Sequence, residues 1–83
     1  MNQYADIVKF MLRYGGITNK QAGVIGVGRL SARIHEMRYA GVRIDTIRIP
    51  VKSRHGKQTT IAKYAFHSRE SERLAVERYI PEI

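Results

Sequence analysis

The chain has 83 residues, 43% of them hydrophobic, and no cysteine. This allows one domain with a modest core and excludes a disulfide framework or a thiolate metal site. Fifteen Lys and Arg stand against seven Asp and Glu, a net charge of +8, and the bases are spread along the whole chain, so a folded basic surface is expected rather than a basic tail. No apolar run approaches the about 18 residues of a membrane span. Lys9 and Arg13 interrupt the N-terminal apolar stretch, so it does not read as a signal peptide, and a cytoplasmic protein is expected.

Asn2 to Tyr14 reads as a helix with Tyr4, Ile7, Val8 and Met11 on one side. Phe10, Leu12 and Tyr14 widen its apolar arc to about half the circumference, more than one small core usually needs. Two readings fit: the helix meets a partner subunit as well as its own core, or a small domain buries it on two sides. Gly15-Gly16 stops it, and Ile17 begins a short extended piece. Thr18 then reads as an N-cap whose capping box is completed by Gln21, with Ile17 and Ala22 forming a hydrophobic staple. That helix runs from about Asn19 to Ile25. Gly26-Val27-Gly28 breaks it, and Val27 plugs the angle to the next helix from inside. The next helix spans roughly Arg29 to Ala40, with Leu30, Ile34 and Met37 as its buried stripe. Gly41 ends it, and Arg38 in the last turn suits the helix dipole. Opposite the stripe lie Ala32, His35, Glu36 and Tyr39, flanked by Arg29, Ser31 and Arg33.

Beyond Gly41 the period changes to that of a strand. Val42 and Ile44 point one way, whereas Ile47, Ile49 and Val51 alternate on the other parity, so a bulge or bend is expected near Asp45-Thr46. Pro50 argues for an edge strand. Residues 52–58 form a polar turn around Gly56, and Thr59 to Phe66 returns as a strand with Ala62, Tyr64 and Phe66 on one face. Ser68 caps a last helix to about Ile80, stopped by Pro81, with Ala75, Val76, Tyr79, Ile80 and Ile83 on one side.

Two short helices joined by a glycine turn form a helix-turn-helix pattern. A helix before the pair and a β-hairpin after it make the order that of a winged helix-turn-helix. The expected class is α+β, mainly α: a three-helix core, a two-stranded hairpin wing and a C-terminal helix. The expected segments of this single domain are 1–16, 17–41, 42–66 and 67–83. Residues 17 to 66 also resemble a family of small winged helix-turn-helix domains carried mainly by bacteriophages and other mobile elements. The resemblance rests on Ile17-Thr18, Gly26, Leu30, Arg33, Ile34, Met37, Arg38, Gly41, Ile44, Ala62 and Tyr64. Ile17 and Met37 stand where that family's pattern has leucine. The resemblance implies a fold and a double-stranded DNA partner.

The expected function is sequence-specific DNA binding in a transcriptional regulator, or in an excision or architectural factor, of a phage or mobile element. The helix 29–40 would enter the major groove and offer Arg29, Ser31, Ala32, Arg33, His35, Arg38 and Tyr39. Thr18 and Lys20 would hold phosphates, as would Lys52, Arg54, His55 and Lys57 at the wing tip. A homodimer through the terminal helices is expected, by way of Tyr4, Ile7, Phe10 and Met11 or of Val76, Tyr79 and Ile80. The competing reading is a protein-interaction module, such as a phage inhibitor of a host enzyme, with a host protein as partner.

Enzymatic chemistry, a cofactor and a small-molecule substrate are not expected. His35, His55 and His67 stand singly on separate elements, and no carboxylate pair is placed for acid–base work. Ser31 and Ser53 lack a base. Gly23, Gly26 and Gly28 follow a helix and precede no Gly-Lys-Ser/Thr, which excludes a nucleotide loop.

Overall fold

A computed structural model describes residues 3–80. Its elements are α1 (Gln3–Tyr14), β1 (Ile17–Thr18), α2 (Asn19–Val24), α3 (Leu30–Tyr39), β2 (Ile44–Lys52), β3 (Gln58–Phe66) and α4 (Arg69–Tyr79). The expected helix start at Asn2, the stop at Pro81 and the placing of Ile83 lie outside the described residues.

Local signals set the helix ends. Thr18 Oγ1 accepts the Gln21 N–H at 3.3 Å, and Gln21 Oε1 accepts the Thr18 N–H at 3.0 Å, closing the capping box over α2. The other end of α2 is a Schellman motif. Val27 N–H reaches back to the Ala22 carbonyl and Gly26 N–H to that of Gly23, with Gly26 at φ +83°. Both Val27 and Ala22 are buried, supplying the apolar contact that accompanies the motif. The same device recurs at the end of α3, where Val42 bonds the Met37 carbonyl and Gly41, at φ +102°, that of Arg38. These two stops turn the chain twice within about twenty residues and fix the helix pair. Ser68 caps α4 through the Ser71 N–H at 3.3 Å.

The core joins Ile7, Val8 and Met11 of α1 to Leu30, Ile34 and Met37 of α3. Ile17, Val27, Val42, Ile44 and Tyr64 close it on the sheet side, and Ala75 and Ile80 on the α4 side. Ile7, Val8 and Met11 of α1 are therefore buried within one chain, while Leu12 and Tyr14, which widen its arc, stay exposed at 41% and 56%. Tyr4 stacks on Tyr79 with ring centroids 5.2 Å apart, and α4 packs across α1. Ile7, Met11 and Ile80, expected at a dimer interface, lie in this core at 0%, 2% and 6% exposure. Of that expected set, Tyr4, Phe10, Val76 and Tyr79 are half-buried, Phe10 beside exposed Tyr14 at a ring distance of 4.6 Å.

The sheet has three strands in the order β1-β3-β2, all antiparallel, rather than the two strands of a hairpin alone. β1 adds Ile17 opposite Tyr64 and Thr18 opposite Lys63, which ties the start of α2 to the wing. β2 is an edge strand, as Pro50 requires. The expected bulge at Asp45-Thr46 is absent. Pairing runs unbroken from Ile44 opposite Phe66 to Lys52 opposite Gln58. Parity therefore never changes, and the odd spacing of Ile47, Ile49 and Val51 from the buried Ile44 puts them on the opposite face of the sheet.

Candidate nucleic-acid interface

The strands carry the sheet beyond the helices and end in an ordered tip. Ser53 accepts the Gly56 N–H through its carbonyl at 3.0 Å and the Lys57 N–H through its hydroxyl at 3.1 Å. Ser53 N–H in turn reaches the Lys57 carbonyl at 2.8 Å. This turn presents Arg54 and His55, and Lys52 and Lys57 flank it, all four exposed.

Continuous register aims Thr46, Arg48, Pro50 and Lys52 toward the same face as the buried Ile44. Past the edge of the core, that face borders the start of α2. Thr18, Asn19 and Lys20 on one side, and Arg48, Thr60, Ile61 and Ala62 on the other, line a cleft of about 390 Å³. Sequence reasoning misses Arg48. Its signal is its even spacing from Ile44, which an assumed bulge conceals.

The outward face of α3 is open. Ser31, His35 and Tyr39 are exposed, Tyr39 at 92%, and Ala32 is half-buried between them. Arg29 lies one residue outside the helix, as its N-cap rather than its first turn. It has φ 54° and ψ 52°, the left-handed region, and its side chain makes no capping bond. It is the non-glycine residue with positive φ among those described, and holding it there costs about 1 kcal/mol or more.

Two cations expected to face a groove also make contacts within the fold. Arg38 donates to the Ile44 carbonyl from Nε at 3.0 Å and Nη2 at 2.6 Å, and from Nη2 to Thr46 Oγ1 at 2.9 Å. Its guanidinium also lies 5.9 Å from the Tyr64 ring centroid. Arg33 pairs with Glu36 at 3.2 Å and sits 5.8 Å from the Tyr4 ring centroid. Tyr4 donates its hydroxyl to Glu36 Oε1 at 2.7 Å. That hydrogen bond raises the Tyr4 pKa above its ordinary value, because the donor must keep its proton.

The charge is localised more sharply than the count of bases shows. Residues 17–66 hold ten Lys and Arg but two acids, Glu36 and Asp45, while the remainder of the chain holds five of each. The whole net charge of +8 therefore belongs to the helix pair and the wing. Both acids there are engaged, Glu36 by Arg33 and Tyr4, and Asp45 by His67 Nδ1 at 3.1 Å. From Thr46 to Phe66 the hairpin carries no acid at all.

Among the described residues no three His, Asp or Glu side chains converge to hold a metal ion. No described helix is long and apolar enough to cross a membrane. No curated protein and no solved structure matches the chain. The family description "Winged helix-turn-helix domain" matches residues 2–69, from α1 through the wing to the first residue of α4, and the chain belongs to that family.

Proposed function

We propose that the protein binds double-stranded DNA, with α3 in the major groove and the cleft and wing on phosphates. The observation that carries this reading is the confinement of the net +8 charge to residues 17–66, with both acids there already paired. A surface of that kind releases condensed counterions when it meets a phosphate backbone. On α3, Ser31, His35 and Tyr39 are the groups free to read base edges, with Arg29 at the entry; Ala32 leaves room for the helix to approach. Thr18, Lys20, Arg48, Lys52, Arg54, His55 and Lys57 are the backbone contacts. Arg33 and Arg38 brace the fold beside this surface. The biological role that fits best is a transcriptional regulator of a phage or mobile element, with an excision or architectural factor using the same surface to bend DNA.

Salt dependence tests the wing. Changing Arg54 and Lys57 together to Ala is expected to weaken binding to all duplexes about equally. The slope of log K against log salt should become shallower by at most about 2. A double variant with unchanged affinity and unchanged slope removes the wing from the interface. The reading of the protein as a host-enzyme inhibitor would then take precedence, tested by salt-insensitive co-purification with one host protein.

The strained N-cap gives a second test. Arg29→Gly relieves the left-handed conformation and is expected to raise the folding stability by about 1 kcal/mol, seen as a higher melting temperature. The same variant should bind its preferred site more weakly and discriminate less between sites. A gain in stability with binding fully retained would make Arg29 a structural residue only.

A further inference from the structure

Unbroken register gives the wing two unlike faces. Arg48 and Lys52 lie on the face turned toward the helices. The other face carries Ile47, Ile49 and Val51 on β2, opposite Lys63, Ile61 and Thr59 on β3. Ile47 is 46% exposed and Ile61 41%, and none of the four aliphatic side chains belongs to the core or to the residues packed against it. A β-branched, nearly uncharged strip on a chain of net charge +8 has no role in holding phosphates.

We propose that this strip is a contact between two copies of the chain bound side by side on duplex DNA, a proposal that rests on the DNA-binding reading above. Three observations select a second copy. The core takes up Ile7, Val8 and Met11 of α1 and Ala75 and Ile80 of α4, and what those helices leave exposed is broken up by charge, with Asp6, Lys9 and Arg13 around Tyr14 and Glu77 and Arg78 beside Leu74. The strip is self-complementary: a two-fold axis through the Ile49–Ile61 pair sets Ile47 and Lys63 of one copy against Val51 and Thr59 of the other. No like charges then oppose each other. Its area also fits a conditional contact. One face of a short hairpin falls well below the about 800 Å² per partner of a stable dimer, and two free copies of charge +8 repel. Phosphates neutralise that repulsion and raise the local concentration, so the contact forms on DNA and not in free solution. The basic and apolar faces point opposite ways, so one wing holds phosphates and a neighbour together.

The test is the double variant Ile47→Thr with Ile49→Thr, which leaves the cleft lining untouched and keeps β-branching and so the hairpin, as a circular-dichroism melt checks. Binding is compared on a duplex of about 15 base pairs, sized for one copy, and on one several times longer. The wild-type chain is expected to bind the long duplex cooperatively. The variant should lose about tenfold of that cooperativity while its affinity for the short duplex stays within about twofold. Non-cooperative binding by the wild-type chain, or equal cooperativity in the variant, overturns the proposal and leaves the DNA-binding reading intact. Loss of short-duplex affinity in the variant also overturns it, by putting the strip against DNA itself. Failure of the wild-type chain to bind either duplex overturns the DNA-binding reading and this contact with it.

Discussion

Charge reversal on both walls of the cleft, Lys20→Glu with Arg48→Glu, is expected to lower affinity for every duplex about a hundredfold, whatever its sequence. Both side chains are exposed, so the melting temperature should hardly move. They line one cleft from different elements, Lys20 at the start of α2 and Arg48 midway along β2. The pairing of β1 with β3 keeps those elements together. A phosphate held there meets two cations, so reversal replaces two attractions with two repulsions. The salt slope should fall by about 0.9 for each phosphate no longer neutralised. Fluorescence anisotropy with labelled duplexes measures both quantities. Wild-type affinity in the double variant would take the cleft out of the interface and leave the wing tip and α3 to bind alone.

Arg38→Ala should act on the fold instead, lowering stability by about 1–3 kcal/mol in urea unfolding. The guanidinium fork bridges the Ile44 carbonyl and the Thr46 hydroxyl, binding the end of α3 to the first residues of the wing. Removing it leaves a partly buried carbonyl without its donor. Arg38→Lys should recover little of the stability, since one ammonium cannot reproduce the two-nitrogen grip on Ile44. At temperatures where the variant is folded, its DNA affinity should stay close to that of the wild-type chain. A large drop in affinity with unchanged stability would return Arg38 to the groups that face the groove.

What the sequence makes legible here is the code written within single turns. The Thr18–Gln21 capping box, the Ser68 cap, and the glycine stops at Gly26 and Gly41 each involve residues within five positions of one another. Their geometry depends on little else. The Leu30, Ile34 and Met37 stripe is legible for a related reason, because helical spacing alone puts them on one side. The errors come where the outcome depends on how far the core extends. Ile47, Ile49 and Val51 look like a core-facing strand, but the hairpin runs beyond the core, and there Ile47 is exposed and Ile49 and Val51 are half-buried outside it. A bulge inferred from them turns Arg48 away from the cleft it lines. On α1, spacing reveals a wide apolar arc but not which part of it is covered, since α4 lies at the other end of the sequence and leaves Leu12 and Tyr14 exposed. The contacts that Arg33 and Arg38 make within the fold are not legible either, because Tyr4, Ile44 and Thr46 lie on other elements. Nor does the strain at Arg29 announce itself, since a left-handed arginine follows from joining two fixed helices and not from any preference of arginine.

The most direct test of DNA binding through one basic surface is an amide chemical-shift titration of the labelled chain with a short duplex. Large shifts are expected at Thr18 to Lys20, Arg29 to Tyr39 and along the wing from Arg48 to Thr60, with α1 and α4 nearly silent. Shifts confined to α1 and α4, or none at saturating duplex, would contradict it.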